Sequence, residues 1–455
     1  MTAERSFSFE DQLRFARLSG DANPLHVDSA WAAIVFPGEP VVHGMHALLW
    51  GLESTWPGGP ISAVTATFVK PILLGEHVTA SLSGNTLTVT YRDEPMVVTR
   101  VESSTTATRA PAISITSQRT TDSEWLHRSG TVTPPPDDDL MVSVFPRLAA
   151  AFGKAGLRGM ASLSTLVGME CPGLRGMFAD FSVTIPGSTA ELTYKVTAFD
   201  RRFNRLTMAV DGCLTGTVAA FVGSSQPEAP TDADLRRLVK ADEFKDQRPL
   251  IIGGSAGLGA ISSLLLASGG ARPIITYHTS LPAAERIAAR ITALGAACDV
   301  IHFDVRDPKR GLEALSAYRW KGAQAYYFAT PRIFRRRLEI FQAKDLYEFM
   351  QIYVDSFYEL VRTLMRDRGV LPLTIFYPSS TAIEDGTADL FEYAVAKQAG
   401  ERLCDRLRKK YKQLSIDLER LPRIDTRQTQ TFVKAVGSSP HEVMLPVIRR
   451  VQRVK

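Results

Sequence analysis

The stretch that most limits how this chain can fold is Leu18-Ser-Gly-Asp-Ala-Asn-Pro-Leu-His-Val-Asp28. A short helical run from Phe9 to Leu18 precedes it, with apolar Leu13, Phe15, Ala16 and Leu18. Gly20 ends that run, because a helix C-terminus commonly needs a residue free to take positive φ. Asp21, Asn23 and Pro24 then predict a turn, since Asp and Asn bond nearby backbone and Pro presets φ. His26 follows five positions after Asp21. An acid and an imidazole fixed on one rigid, irregular loop can hold and activate a water. The same residues also read as a polar turn with an incidental histidine.

Further on, Met45, Leu48, Leu49 and Leu52 predict a helix from about His43 with one apolar stripe, broken at Pro57-Gly-Gly-Pro60. Ala63 to Val69, His77 to Ser83, Thr86 to Tyr91 and Met96 to Ser103 alternate with period two, with a turn at Gly84-Asn85, and predict an antiparallel sheet. The Asp21–His26 stretch is followed by Val41-Val-His-Gly-Met-His46, then Phe68-Val-Lys-Pro71 and Gly75-Glu-His-Val78. In residue types and spacing, this set resembles the MaoC-like, (R)-specific enoyl-thioester hydratases. Those proteins have the hotdog fold, a sheet wrapped round one central helix. The resemblance covers about the first hundred residues. It implies that Asp21 and His26 position a water and manage its proton. It also implies that the backbone N–H of Gly44, at a helix N-terminus, bonds the thioester oxygen as enolate charge develops.

A chain of 455 residues is too long for one ordinary domain. Its 45% apolar and 22% charged residues fit a soluble globular protein. There is no run of eighteen or more apolar residues, so no membrane span is expected. The start, Met-Thr-Ala-Glu-Arg-Ser-Phe, has no apolar signal core, which predicts a cytoplasmic location. Cys171, Cys213, Cys298 and Cys404 show neither metal spacing nor a disulfide framework, as fits a reducing compartment. The net charge of +5 suits an acidic small ligand or carrier protein and does not argue for nucleic acid.

A polar connector from Thr105 to about Asp139 contains Pro134-Pro-Pro-Asp-Asp-Asp139, which neither helix nor sheet accommodates easily. From Leu140 to about Val222 the pattern of the first unit repeats. Met141 to Leu166 reads as helix, weakened by Gly153, Gly156 and Gly159. Gly173 to Ile185, Ala190 to Phe199, Asn204 to Val210 and Leu214 to Val222 read as strands. No Asp-x-Asn-Pro-x-His stretch occurs there. The expected N-terminal architecture is an α+β double hotdog. Residues 1–115 form the hydratase half, and residues 140–225 form a catalytically blank half that completes the acyl pocket.

Gly223-Ser-Ser-Gln-Pro-Glu-Ala-Pro230 is a second linker by composition. Beyond it, Pro249-Leu-Ile-Ile252 reads as a buried strand running into Gly253-Gly-Ser-Ala-Gly-Leu-Gly259 and an apolar helix. Glycines there let backbone approach a pyrophosphate at a helix N-terminus. Further strands are predicted at Pro273 to Tyr277, Val300 to Val305, Ala323 to Phe328 and Leu371 to Tyr377. Thirteen positions beyond Ser380 comes Tyr393-Ala-Val-Ala-Lys397, with Tyr393 and Lys397 on one helical face. A lysine ammonium near a phenol stabilises the phenolate.

This set resembles the short-chain dehydrogenase/reductases over about two hundred residues. The resemblance implies an α/β Rossmann fold, a doubly wound parallel sheet, over residues 240–455, with Ser380, Tyr393 and Lys397 catalytic. It places the cofactor on Gly253, Ser255, Gly257, Leu258, Gly259, His278, Asp304, Val305, Ala329, Tyr393, Lys397 and Thr426. The chain departs from the family pattern at Ile252, over Phe328-Ala-Thr-Pro-Arg332, at Tyr353 in place of a proton-relaying asparagine, and at Arg423. Strand two carries no acid for a ribose 2′-hydroxyl, which favours NADP, with NAD possible. His278, Thr279 and Ser280 could bond a 2′-phosphate, although no arginine stands beside them and Ala256 lies where NADP enzymes often have a base.

Arg332, Arg335, Arg336 and Arg337 read either as a solvated helix start or as a dock for coenzyme A or carrier-protein phosphates. His43, His46, His77, His127, His302 and His441 are too dispersed for a metal site, so none is expected. The two resemblances share an intermediate. They imply a bifunctional enzyme interconverting trans-2-enoyl, (R)-3-hydroxyacyl and 3-oxoacyl thioesters of coenzyme A or acyl carrier protein. Both families commonly oligomerise, so at least a homodimer is expected. The alternatives are a hydratase whose reductase-like half only binds cofactor or partner, and a reductase for an unrelated carbonyl.

Overall fold

Ser8 opens the first helix, Phe9–Ser19, with a capping box: its hydroxyl accepts from the Asp11 amide while the Asp11 carboxylate accepts from the Ser8 amide. Gly20 closes it at φ 83°, its N–H bonded to the Ala16 carbonyl. Asn23 then caps a single turn, Pro24–Val27, with Pro24 at its first position. The predicted loop is therefore a helix stop followed at once by a helix start.

The computed structural model describes residues 1–32, 38–103, 123–133, 138–186, 191–223, 230–317, 320, 322–333, 341–368, 371–386, 390–424, 426 and 437–453. Most of the two predicted linkers, and Arg335, Arg336 and Arg337, lie outside these residues. The chain forms two units, the first over Met1–Ser225 and the second over Gln226–Thr429 and Val436–Lys455.

Among the described residues of the first unit, ten antiparallel strands make one sheet in the order β1-β3-β4-β5-β2-β7-β10-β9-β8-β6. They are β1 Thr2–Ser6, β2 Ala63–Phe68, β3 His77–Ser83, β4 Thr86–Tyr91, β5 Glu94–Glu102, β6 Ser129–Val132, β7 Gly176–Thr184, β8 Leu192–Asp200, β9 Arg205–Gly212 and β10 Thr215–Val222. Burial alternates along most of them, as period-two sequences require. The two outermost strands, β1 and β6, escaped the sequence reading. Helix Gly44–Thr55 is buried along nearly its whole length, including Met45, Leu48, Leu49 and Leu52, and it packs against β3, β4 and β5. Such all-round burial marks a central helix.

The second repeat has helix Pro146–Thr165 in the corresponding place, kinked at Gly153 (φ 69°, ψ 162°) and ending in a π-type segment, Leu166–Glu170. The weakness read from the glycines is this one kink. Gly159 instead permits close packing, since a Cβ there would meet Cys213 Sγ at 2.8 Å. Glu53 on helix Gly44–Thr55 accepts from the Arg147 and Leu148 amides at 3.0 and 2.9 Å, joining that helix to Pro146–Thr165. Pairing of β2 with β7, from Ala63↔Thr184 to Thr67↔Asp180, joins the two repeats into one sheet.

Among the described residues of the second unit, six parallel strands run in the order β13-β12-β11-β14-β15-β16. They are β11 Leu250–Ile252, β12 Ile274–Tyr277, β13 Asp299–His302, β14 Gln324–Tyr327, β15 Leu373–Ser380 and β16 Leu414–Leu421. Two apolar cores flank the sheet. One contains Leu264, Ile291, Met444 and Ile448, and the other Tyr353, Phe357, Tyr377 and Leu407. Helices therefore cover both faces, and continuous apolar strands such as Leu250–Ile252 result.

Candidate active sites

Asp21 and Asn23 are buried in the first unit, where short local bonds fix the loop. The Asn23 amide donates to Asp21 Oδ1 at 3.1 Å, and the Leu25 amide to Asn23 Oδ1 at 3.0 Å. His26 Nδ1 lies 2.8 Å from the Val41 carbonyl. A carbonyl only accepts, so Nδ1 carries the proton and Nε2 of the neutral ring is left as a base. Gly44 is the first residue of its helix, so its N–H is among those that a helix leaves without an internal acceptor. A Cβ at Gly44 would lie 2.8 Å from the Phe68 ring. Asp21, His26, Gly44, Phe68, Ser164 and Phe178 all line one cavity of about 90 Å³. The structure thus brings together the three residues predicted for this site.

It also brings residues that the sequence reading did not place there. Ser164 Oγ donates to Asp21 Oδ2 at 2.7 Å, and Asn23 Nδ2 donates to the Gly168 carbonyl at 3.0 Å. His43 is fully buried, with its ring stacked on His26 at 3.9 Å between centroids. Its Nε2 lies 3.1 Å from the Asp21 carbonyl, and its Nδ1 2.9 Å from Gln12 Oε1. One ligand-type atom each from Asp21, His26 and His43 falls within 4.8 Å of the others, which corrects the expectation that His43 stands apart. Both imidazoles direct a ring nitrogen at a backbone carbonyl, which fixes the orientation of each ring.

Burial dominates the electrostatics. It raises the Asp21 carboxyl above its ordinary range, against the opposing pull of His26, Ser164 and the Asn23 amide. It lowers His26, with Asp21 opposing, and holds His43 well below the usual histidine range. Burial thus favours the uncharged form of both rings.

In the second unit, Ser380 ends β15, and Tyr393 and Lys397 lie buried on one face of helix Phe391–Lys410. The Ser380 hydroxyl, which accepts from the Ala382 amide at 3.2 Å, opposes the rise that burial gives Tyr393. Lys397 Nζ donates to the Pro378 carbonyl at 2.6 Å and sits 3.8 Å from the centre of the Tyr353 ring, against 5.8 Å from that of Tyr393. The expected lowering of the phenol by the lysine is not what the geometry gives. Burial pushes Tyr393 up to about 12 and Lys397 down to about 7. Tyr353, at the departed asparagine position, is fully buried in the π-type segment Gln351–Ser356, with its hydroxyl 2.5 Å from Thr330 Oγ1.

The glycine turn takes the expected place between β11 and helix Gly257–Ser268. Gly253 has φ 79°, and its amide donates to Thr276 Oγ1 at 3.0 Å, tying the turn to β12. Ser255 precedes Ala256, which caps the helix without a side-chain bond, and Leu258 and Gly259 follow in its first turn. A Cβ at Gly259 would meet the Gly253 carbonyl at 2.1 Å. His278 follows β12, Asp304 and Val305 follow β13, Ala329 follows β14, and Thr426 lies beyond β16. Arg306, which the sequence reading passed over, grips Asp304 through Nε and Nη2 at 2.9 Å each and places Nη2 2.9 Å from His278 Nε2. An arginine does reach the end of strand two, but from strand three.

Residues 2–107 match the family described as the MaoC like domain. The chain belongs to this MaoC-like family. Over 97 residues it is 32% identical to the (R)-specific enoyl-CoA hydratase of Aeromonas caviae, a match covering 20% of this chain and 70% of that protein. Among solved structures, it resembles a putative short chain dehydrogenase from Pseudomonas syringae at 18% identity and TM-score 0.42, over 47% of this chain and 92% of that one. A 3-oxoacyl (acyl-carrier-protein) reductase from Agrobacterium tumefaciens C58 with NADP bound matches at 15% identity and TM-score 0.40, over 46% and 88%. Among the described residues, no helix is long and apolar enough to cross a membrane.

Proposed function

We propose that the chain is a bifunctional enzyme interconverting trans-2-enoyl, (R)-3-hydroxyacyl and 3-oxoacyl thioesters, carried on coenzyme A or acyl carrier protein. The observation that carries this reading is the convergence of Asp21, His26 and the Gly44 amide on one cavity. Residues 1–115 and 140–225 are then the halves of a double hotdog, and residues 240–455 a short-chain dehydrogenase/reductase domain. The order of the parallel strands supports a Rossmann-type sheet, whose ligands bind beyond the carboxyl ends of the strands.

In the hydration step, Asp21 and His26 hold a water between them. Its oxygen bonds C3 as His26 Nε2 takes a proton, and the pair returns a proton to C2 as the double bond becomes single. The Gly44 N–H meets the charge that develops on the thioester oxygen, an effect worth roughly 3 kcal/mol of barrier when well placed. In the redox step Ser380 hydrogen-bonds the C3 oxygen, Tyr393 exchanges its proton, and Lys397, lowered to about 7, stands nearby to take up or release one. NADP, when bound, supplies or accepts the hydride. The tight Gly253–Gly259 turn and the open helix amides fit its pyrophosphate. Asp304, Val305, Ala329 and Thr426 would border the rest, and His278 with Arg306 favours a 2′-phosphate over a bare ribose.

The test is incubation with crotonyl-CoA and NADP⁺, following hydration and NADPH formation separately. Asp21→Asn should lose both, each by at least a hundredfold, and Tyr393→Phe only the second. Unchanged hydration in Asp21→Asn sinks the hydratase assignment. One observation favours a second reading, in which only the hydratase works and the other unit binds cofactor or partner. Lys397 is engaged by Pro378 and Tyr353, and the Tyr393 phenol stands at about 12. NADPH-dependent reduction of acetoacetyl-CoA that Tyr393→Phe abolishes would rule out that reading.

A further inference from the structure

Three bonds join the end of helix Pro146–Thr165 and the π-type segment after it to the Asp21 loop. Thr165 Oγ1 donates to the Ser19 carbonyl, Ser164 Oγ to Asp21 Oδ2, and the Gly168 carbonyl accepts from Asn23 Nδ2. Only the Ser164 bond reaches the carboxylate itself. Gly168 supports the same contact by having no side chain, because a Cβ there would lie 2.4 Å from Asp21 Oδ1. Ser164 is 3% exposed and Asp21 2%, so water cannot replace the hydroxyl cheaply. The π-type segment Leu166–Glu170 sets Gly168 beside the loop.

We infer that Ser164, on the second helix–sheet repeat, is a positioning residue of the hydration step, holding the Asp21 carboxylate in line with His26 inside a cradle that only glycine at 168 leaves open. The inference rests on the hydratase reading. The second repeat is then a working part of the site and more than a wall of the acyl pocket. The hydroxyl donates to the charged form of Asp21, so it opposes the rise that burial causes.

The experiment measures hydration of crotonyl-CoA by the full chain across pH, with kcat and KM separated. Ser164→Ala should lower kcat by about tenfold with little change in KM, and move the acidic limb upward by about one pH unit. Ser164→Thr, which keeps a hydroxyl, should move the limb back toward the wild type. Thr165→Ala removes a neighbouring bond from the same helix end to the loop backbone. It should lower the melting temperature without moving the limb. A Ser164→Ala protein with an unmoved limb, or with a shift that Thr165→Ala reproduces, overturns the inference while the hydratase reading stands. No hydration by the wild type overturns both.

Discussion

Three histidines in the first unit sit where an imidazole cannot easily carry charge. His46 is the extreme case. It is stacked on Phe15 at 4.7 Å and lowered to about 3, chiefly by burial. His26 and His43 are lowered for the same reason. Each holds a proton less readily in the folded chain than in the unfolded one, where it titrates near pH 6.5, so stability is lost as pH falls below that value. The slope approaches about 1.4 kcal/mol per pH unit for each fully neutral ring. Asp21, raised by burial, works in the opposite sense. The urea midpoint should therefore fall between pH 7 and pH 5, and His46→Leu should flatten that fall. An equal pH dependence in the variant would refute the assignment. At this scale, Asp21, His26, Tyr393 and Lys397 were legible because each pair lies on one local element at a spacing that fixes its geometry. Ser164 was not, since 143 positions separate it from Asp21 and nothing local marks it.

At the level of elements, most strand positions were readable from alternation, to within two or three residues. The outer strands β1 and β6 were missed because their exposed, mixed sequences carry little alternation. The end of β12 shows a different limit. Thr276 to Ser280 offers no cation, yet Arg306 arrives there because parallel pairing of β12 with β13 brings their ends together. Register across a sheet is invisible to a search along one strand. Arg306→Ala should weaken NADPH binding by at least fivefold while leaving NADH nearly unchanged, as read by quenching of protein fluorescence. Equal losses for both nucleotides would mean that Arg306 only braces Asp304.

For the whole molecule, the four cysteines are free, and Cys171, Cys213 and Cys404 are buried. Burial pushes Cys171 up to about 11 and Cys298 and Cys404 up to about 12. Thiolate is thus scarce at neutral pH, and the native protein should react slowly with an aromatic disulfide reagent. Four thiols should appear at once in denaturant. Rapid native labelling of more than one would contradict this packing.

The pairing of β2 with β7 has a consequence for how such a protein can change. In a homodimer with a two-fold axis, every substitution appears twice, and a side chain suited to one copy's task must suit the other's. Here the two helix–sheet repeats lie in one chain, joined from Ala63↔Thr184 to Thr67↔Asp180. Symmetry no longer binds them. One repeat carries the acid and imidazole, and the helix end of the other grips the loop that holds them.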